Sequence, residues 1–107
     1  MPTDDHRGLE LALDALYESG WNSIDSTNCD THSDGRLYPA LVRIQQEFMR
    51  EGYELIVRFI QLFDCYRAEW ADVNGSPIGA VVGATEIEAA IYALAQMRQR
   101  VGSKVNP

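Results

Sequence analysis

Cations, cysteines and long apolar runs are all scarce in this 107-residue chain, and each shortage removes a class of function. Nine Lys and Arg against sixteen Asp and Glu leave a formal net charge of −7, a field that repels phosphate backbones and argues against a nucleic-acid partner. No stretch approaches the roughly 18 consecutive apolar residues of a membrane span, so no membrane association is expected. The opening Met-Pro-Thr-Asp-Asp-His lacks the basic and apolar regions of a signal peptide, and the expected location is cytoplasmic. The two cysteines, Cys29 and Cys65, then read as reduced thiols rather than a disulfide. Neither a P-loop nor a dinucleotide-binding glycine pattern occurs; Gly79 and Gly83 flank a strand instead of forming a phosphate cradle, and no cofactor is expected.

What remains is the composition of a folded domain: 46% apolar and 23% charged residues, with no internal repeat and no linker. Its charge is uneven. Residues 1–36 hold eight acids against Arg7 and Arg36, whereas the other 71 hold eight acids and seven bases. The acidity belongs to the N-terminal third and favours solubility or a basic protein partner.

Periodicity predicts an α+β fold in one domain. Leu9, Ala12, Leu13, Leu16 and Tyr17 recur at helical spacing, with Asp4 and Asp5 suited to the N-terminal end and Gly20 to the stop. Trp21 is expected to pack back under that end, so residues 1–21 form a helix and cap. Residues 22–36 read as a long polar loop anchored by Ile24. A second helix is expected from about Tyr38 to Glu51, with Pro39 at its first position, Leu37, Leu41, Ile44 and Phe48 buried, and Glu47 facing water.

At Gly52 the pattern turns extended. Tyr53–Phe63 reads as a strand with both faces partly apolar, and Cys65–Ala71 as a strand placing Tyr66, Ala68 and Trp70 inward. Asn74-Gly75 is a hairpin turn into Ile78–Val82. Thr85 and Glu88 form a capping box for a last helix, with Ile87, Ile91, Leu94 and Met97 on its apolar face, Gly102 as its stop and residues 102–107 as a frayed tail.

The expected core, residues 37–101, is thus α-β-β-β-α, a three-stranded antiparallel sheet packed on helices. Ile56, Ile60 and Leu62 are left on the sheet's other face. Either the first helix folds across them or a homodimer covers them.

That order resembles the double-stranded-RNA-binding domain, and Gly83-Ala-Thr85-Glu-Ile-Glu88-Ala89 is similar to its junction between last strand and last helix. The resemblance implies that fold. The family's phosphate-binding lysines at the junction are replaced here by Glu86 and Glu88, so RNA binding does not carry over. Gly83-x-Thr85-x-x-Glu88-Ala89 also resembles the core of HicB-like antitoxins, which implies a role in binding a basic protein.

Two regions could carry function. In Cys29-Asp30-Thr-His32-Ser-Asp34-Gly35, alternate oxygen donors echo the opening of a calcium loop, but Leu41 stands where a bidentate Glu is needed. Cys29 and His32 have a zinc-like spacing without a second Cys/His pair, and no metal is expected. No nucleophile elbow or oxyanion-hole loop accompanies them, so no catalytic residue is assigned. Residues 21–36, with Cys29, Asp30, His32 and Asp34, are the candidate ligand loop of a small enzyme or binding domain. On the sheet, Ile56, Arg58, Ile60, Leu62 and Arg67 are the candidate partner face of a non-enzymatic interaction or regulatory module, with a basic protein or a second copy as partner. Cross-strand ion pairs of Arg58 and Arg67 with Glu54 and Glu69 are the plainer reading of those charges.

Overall fold

A computed structural model describes residues 4–22 and 27–105, with side chains over residues 8–22 and 27–100. The elements are helix α1 (Asp4–Glu18), strands β1 (Cys29–Thr31) and β2 (Leu37–Pro39), helix α2 (Leu41–Arg50), strand β3 (Tyr53–Ile60), a 3-10 turn (Gln61–Phe63), strands β4 (Cys65–Asp72) and β5 (Pro77–Gly83), and helix α3 (Glu86–Val105). The class is α+β as expected. Among the described residues, β1 and β2 make a two-stranded sheet, and β3-β4-β5 make an antiparallel one.

α1 buries Ala12, Leu13 and Leu16 completely, which is the stripe its spacing marks. It stops where expected: Gly20 takes a φ of 94°, a left-handed conformation that glycine reaches without a Cβ penalty. The chain then folds back and buries Trp21, whose ring meets that of Tyr17 edge-on at 5.6 Å.

The polar loop is not structureless. Cys29 pairs with Pro39, Asp30 with Tyr38 and Thr31 with Leu37 in a short hairpin turned by Ser33, Asp34 and Gly35. Ile24, its expected anchor, lies outside the described residues. The hairpin also corrects the second helix, which begins at Leu41 because Leu37 and Pro39 belong to β2. Pro39 is fully buried and has no amide to offer, a role a strand end tolerates as well as a helix start.

The inner face of the large sheet carries Leu55, Val57, Ala68, Trp70 and Val81 against α2 and α3. Phe48 of α2 lies 5.4 Å from Trp70, centroid to centroid, and both are fully buried, together with Ile44, Ile91 and Leu94. Each such side chain contributes roughly 1.5–3 kcal/mol on burial. Gly79 sits across from Trp70 in the register and leaves room for its indole.

β3 ends at Ile60, three residues before the expected Phe63. Asp64 adopts a left-handed conformation (φ 52°) that closes a four-residue hairpin loop, so Gln61, Leu62 and Phe63 form a 3-10 turn at the sheet's tip. At the other end, Asn74-Gly75 makes the expected turn: Gly75 has a φ of 84°, and Asp72 Oδ1 accepts the amides of Asn74 and Ser76.

Thr85 caps α3 by accepting the Glu88 amide at 3.2 Å, and Glu88 Oε1 accepts the Ala84 amide at 3.2 Å. The helix runs through Gly102, the expected stop, to Val105. α1 packs on α3, on the helix side of the sheet, with Gly8 close over the Glu88 carboxylate. It does not cross the outer face, which corrects the first of the two expected solutions and leaves that face without a covering element among the described residues.

Candidate functional site

Residues 27–39 are clamped between α1 and α2. Tyr17 Oη donates to the Leu37 carbonyl at 2.6 Å, and Arg36 reaches Asp14 at 2.8 Å. On the other side Arg43 donates to the Thr27 carbonyl at 2.8 Å and to Cys29 Sγ at 3.6 Å.

The four ligand-loop candidates diverge accordingly. Cys29 is turned towards α2 and Arg43. His32 is buried, 6% exposed, with Nε2 3.6 Å from the Glu10 carboxylate of α1 and without a hydrogen-bond partner. Asp34 stays in the hairpin turn, where Oδ1 accepts the Arg36 amide at 3.0 Å and Oδ2 accepts Arg36 Nε at 2.9 Å. The backbone amide of Arg36, with its guanidinium, holds the Asp34 carboxyl below the usual range. Asp30 is exposed on β1, and its charge adds to burial in raising the neighbouring Tyr38 hydroxyl. Among the described residues no three His, Cys, Asp or Glu side chains converge as a metal-binding group.

Beside the hairpin lies a network that spacing did not reveal. Glu47, expected in water, is buried, and its carboxylate accepts Arg43 Nε at 2.9 Å and Trp21 Nε1 at 3.3 Å, with Arg98 NH1 of α3 4.0 Å away. The i, i+4 pair Arg43 and Glu47 was the only sign of it. Its role is architectural: one carboxylate joins the segment after α1 to α2 and α3.

The outer sheet face is the other candidate. The register sets Ile56 beside Glu69 and Ala80, and Arg58 beside Arg67 and Val82, while Ile60 pairs with Cys65 nearer the tip. Ile56, Arg58, Ile60 and Arg67 therefore share one face, with Ile56 and Val82 exposed and Ile60 half-buried. Leu62 does not join them. It stands at the tip with Phe63, and the two are 83% and 72% exposed. Arg58 and Arg67 lie directly opposite each other and share a single carboxylate: Arg67 Nε donates to Glu69 at 2.6 Å, and Arg58 NH2 is 4.0 Å from it. Glu54, expected to pair with them, has no ion pair among the described residues; it sits four residues from Arg58 on β3, about 13 Å away at the rise of a strand.

No family model, curated protein or solved structure matches this chain. No helix among the described residues is long and apolar enough to cross a membrane.

Proposed function

We propose that the protein is a non-enzymatic interaction module whose partner-facing surface is the outer face of the β3-β4-β5 sheet. One observation carries this reading: α1 is spent on α3, so nothing in the described chain covers Ile56, Val82 and the apolar tip. A single exposed apolar residue on a sheet needs no explanation, but several on one face and its adjoining tip mark an interaction surface. The candidate ligand loop draws less support, since Cys29, His32 and Asp34 are each engaged with a different neighbour. The α2-β3-β4-β5-α3 order supports the likeness to the double-stranded-RNA-binding fold as architecture, while Glu86 and Glu88 at the start of α3 oppose phosphate.

Site-specific photocrosslinking in cells tests the reading. A benzophenone side chain in place of Ile56 should form adducts with a polypeptide, whether another protein or a second copy, and the same probe in place of Leu11, exposed on α1, should form none. A folded Ile56 probe that yields no adduct overturns the proposal.

A further inference from the structure

Resting on that interaction-module reading, we infer that the partner seated on the outer face is a second copy of this chain, packed face to face with its strands antiparallel to the first. Charge favours this partner. The face carries two arginines and two glutamates, and they are sorted along the strands: Arg58 and Arg67 form a row towards the Leu62-Phe63 tip, Glu69 lies one row further, and Glu54 lies nearest the opposite end. Two such faces placed with strands parallel would set the arginine rows against each other. Turned about a two-fold axis that runs between the sheets and across the strands at Ile56, they place Glu54 of each copy over Arg58 of the other. The two charges left short of partners within one chain, the unpaired Glu54 and the more weakly held Arg58, then satisfy each other twice. Ile56 meets its own counterpart on the axis. Glu69 stands in the same row and so also meets its own counterpart, each carboxylate neutralised by the Arg67 of its own chain at 2.6 Å.

The apolar ends obey the same symmetry. Three strands about 4.8 Å apart and up to eight residues long offer a face of roughly 14 by 26 Å, small against the 800 Å² or so that each partner contributes to a stable interface, so the tip must add area. Reversal carries Leu62 and Phe63 of one copy to the far end of the other. There Met49 and Val73, 68% and 86% exposed, border a concavity of about 450 Å³ that also takes in Tyr53. Tip and concavity lie at opposite ends of the sheet, so a single rotation brings each tip beside the other copy's Val73 turn and closes the assembly at two copies. The face is modest and half charged, which sets the expected dissociation constant at about the micromolar level.

The test is sedimentation velocity over a wide concentration range on the wild type, Glu54→Arg, Arg58→Glu and an equimolar mixture of the two variants. The wild type is expected to pass from monomer to dimer. Each variant alone places like charges together at two symmetric points, and its dissociation constant should rise by about tenfold or more. The mixture should recover wild-type association, because every 54–58 contact across the mixed pair again joins opposite charges. Leu62→Ser, at an exposed position that does not burden folding, should weaken association independently of charge. A wild type that stays monomeric at the highest concentration overturns the second-copy assignment. So does a dimer indifferent to both reversals, or one that mixing does not restore. Adducts from the Ile56 probe to a different polypeptide, alongside a monomeric wild type, would remove the self-pairing while leaving the interaction-module reading standing.

Discussion

The indole of Trp21 donates to the carboxylate of Glu47 at 3.3 Å, and through that bond the turn after α1 is tied to the middle of α2. The same carboxylate takes the Arg43 guanidinium at 2.9 Å in a position screened from water.

Removing it takes the charged partner from the Arg43 guanidinium, which keeps the Thr27 carbonyl, and leaves the indole N–H without its acceptor, a loss of about 2–4 kcal/mol. Glu47→Ala should lower the urea midpoint accordingly, and Glu47→Gln, which can still accept the indole N–H, by about half as much. Trp21 fluorescence should shift in both. An unchanged midpoint for Glu47→Ala would show that the network does not hold the helices together.

Gly79 and Gly83 should separate two kinds of close approach. A Cβ at Gly79 would meet the buried indole of Trp70, with Cη2 at 2.8 Å, whereas one at Gly83 would meet the Ala89 backbone nitrogen at 2.7 Å. An indole can shift within the core, at a cost of about 1–3 kcal/mol, and a helix backbone yields less readily. Thermal melting should therefore rank wild type above Gly79→Ala and Gly79→Ala above Gly83→Ala. Only the Gly79 variant should disturb the near-ultraviolet signal of Trp70 strongly.

His32 buries a ring nitrogen that has no hydrogen-bond partner, which is costly in a folded protein. His32→Phe keeps a planar ring and removes the orphan, so its stability should match or exceed that of the wild type in denaturant titration. A large loss would mean that the contact with Glu10 at 3.6 Å holds the hairpin on α1.

Asp34 accepts the Arg36 amide, and its carboxyl titrates below the usual range. The unfolded chain thus binds the proton more readily, so this carboxylate stabilises the fold above the ordinary aspartate pKa. The contribution fades as pH falls through the depressed folded value. A carboxyl titration followed by nuclear magnetic resonance should place Asp34 below the other exposed aspartates, and Asp34→Asn should abolish that part of the acid dependence.

The parts readable from the sequence were those set by local chemistry. Gly20, Asn74-Gly75 and the Thr85-Glu88 box each mark an element end by a conformation or hydrogen bond that needs no distant partner. Distant partners decided the rest. Cys29-Asp30-Thr31 is too short and polar to announce a strand, and forms one because β2 and α1 lie beside it. Pro39 suits a helix start and a strand end equally, so its neighbours chose. Leu62 and Phe63 continue an apolar run, yet the left-handed Asp64 turns the chain before they can enter the sheet. Glu47 looks like a surface residue until Trp21 arrives from another element. Of the candidate site residues, the alternation along β3 and β4 placed Ile56, Arg58, Ile60 and Arg67 on one face, while the spacing of Cys29, His32 and Asp34 said nothing of the three directions in which the hairpin sends them.

The strand order β3-β4-β5 has a consequence for how the protein avoids misassembly. With β4 in the centre, both β3 and β5 leave a row of backbone groups without a neighbouring strand among the described residues, and an unguarded sheet of this kind can recruit further strands without limit. β5 opens with Pro77, which has no amide to donate, and β3 carries Glu54 and Arg58, whose charges penalise a misregistered neighbour. These two side chains act as gatekeepers, and a chain with both made apolar should form fibrils where the wild type stays dispersed.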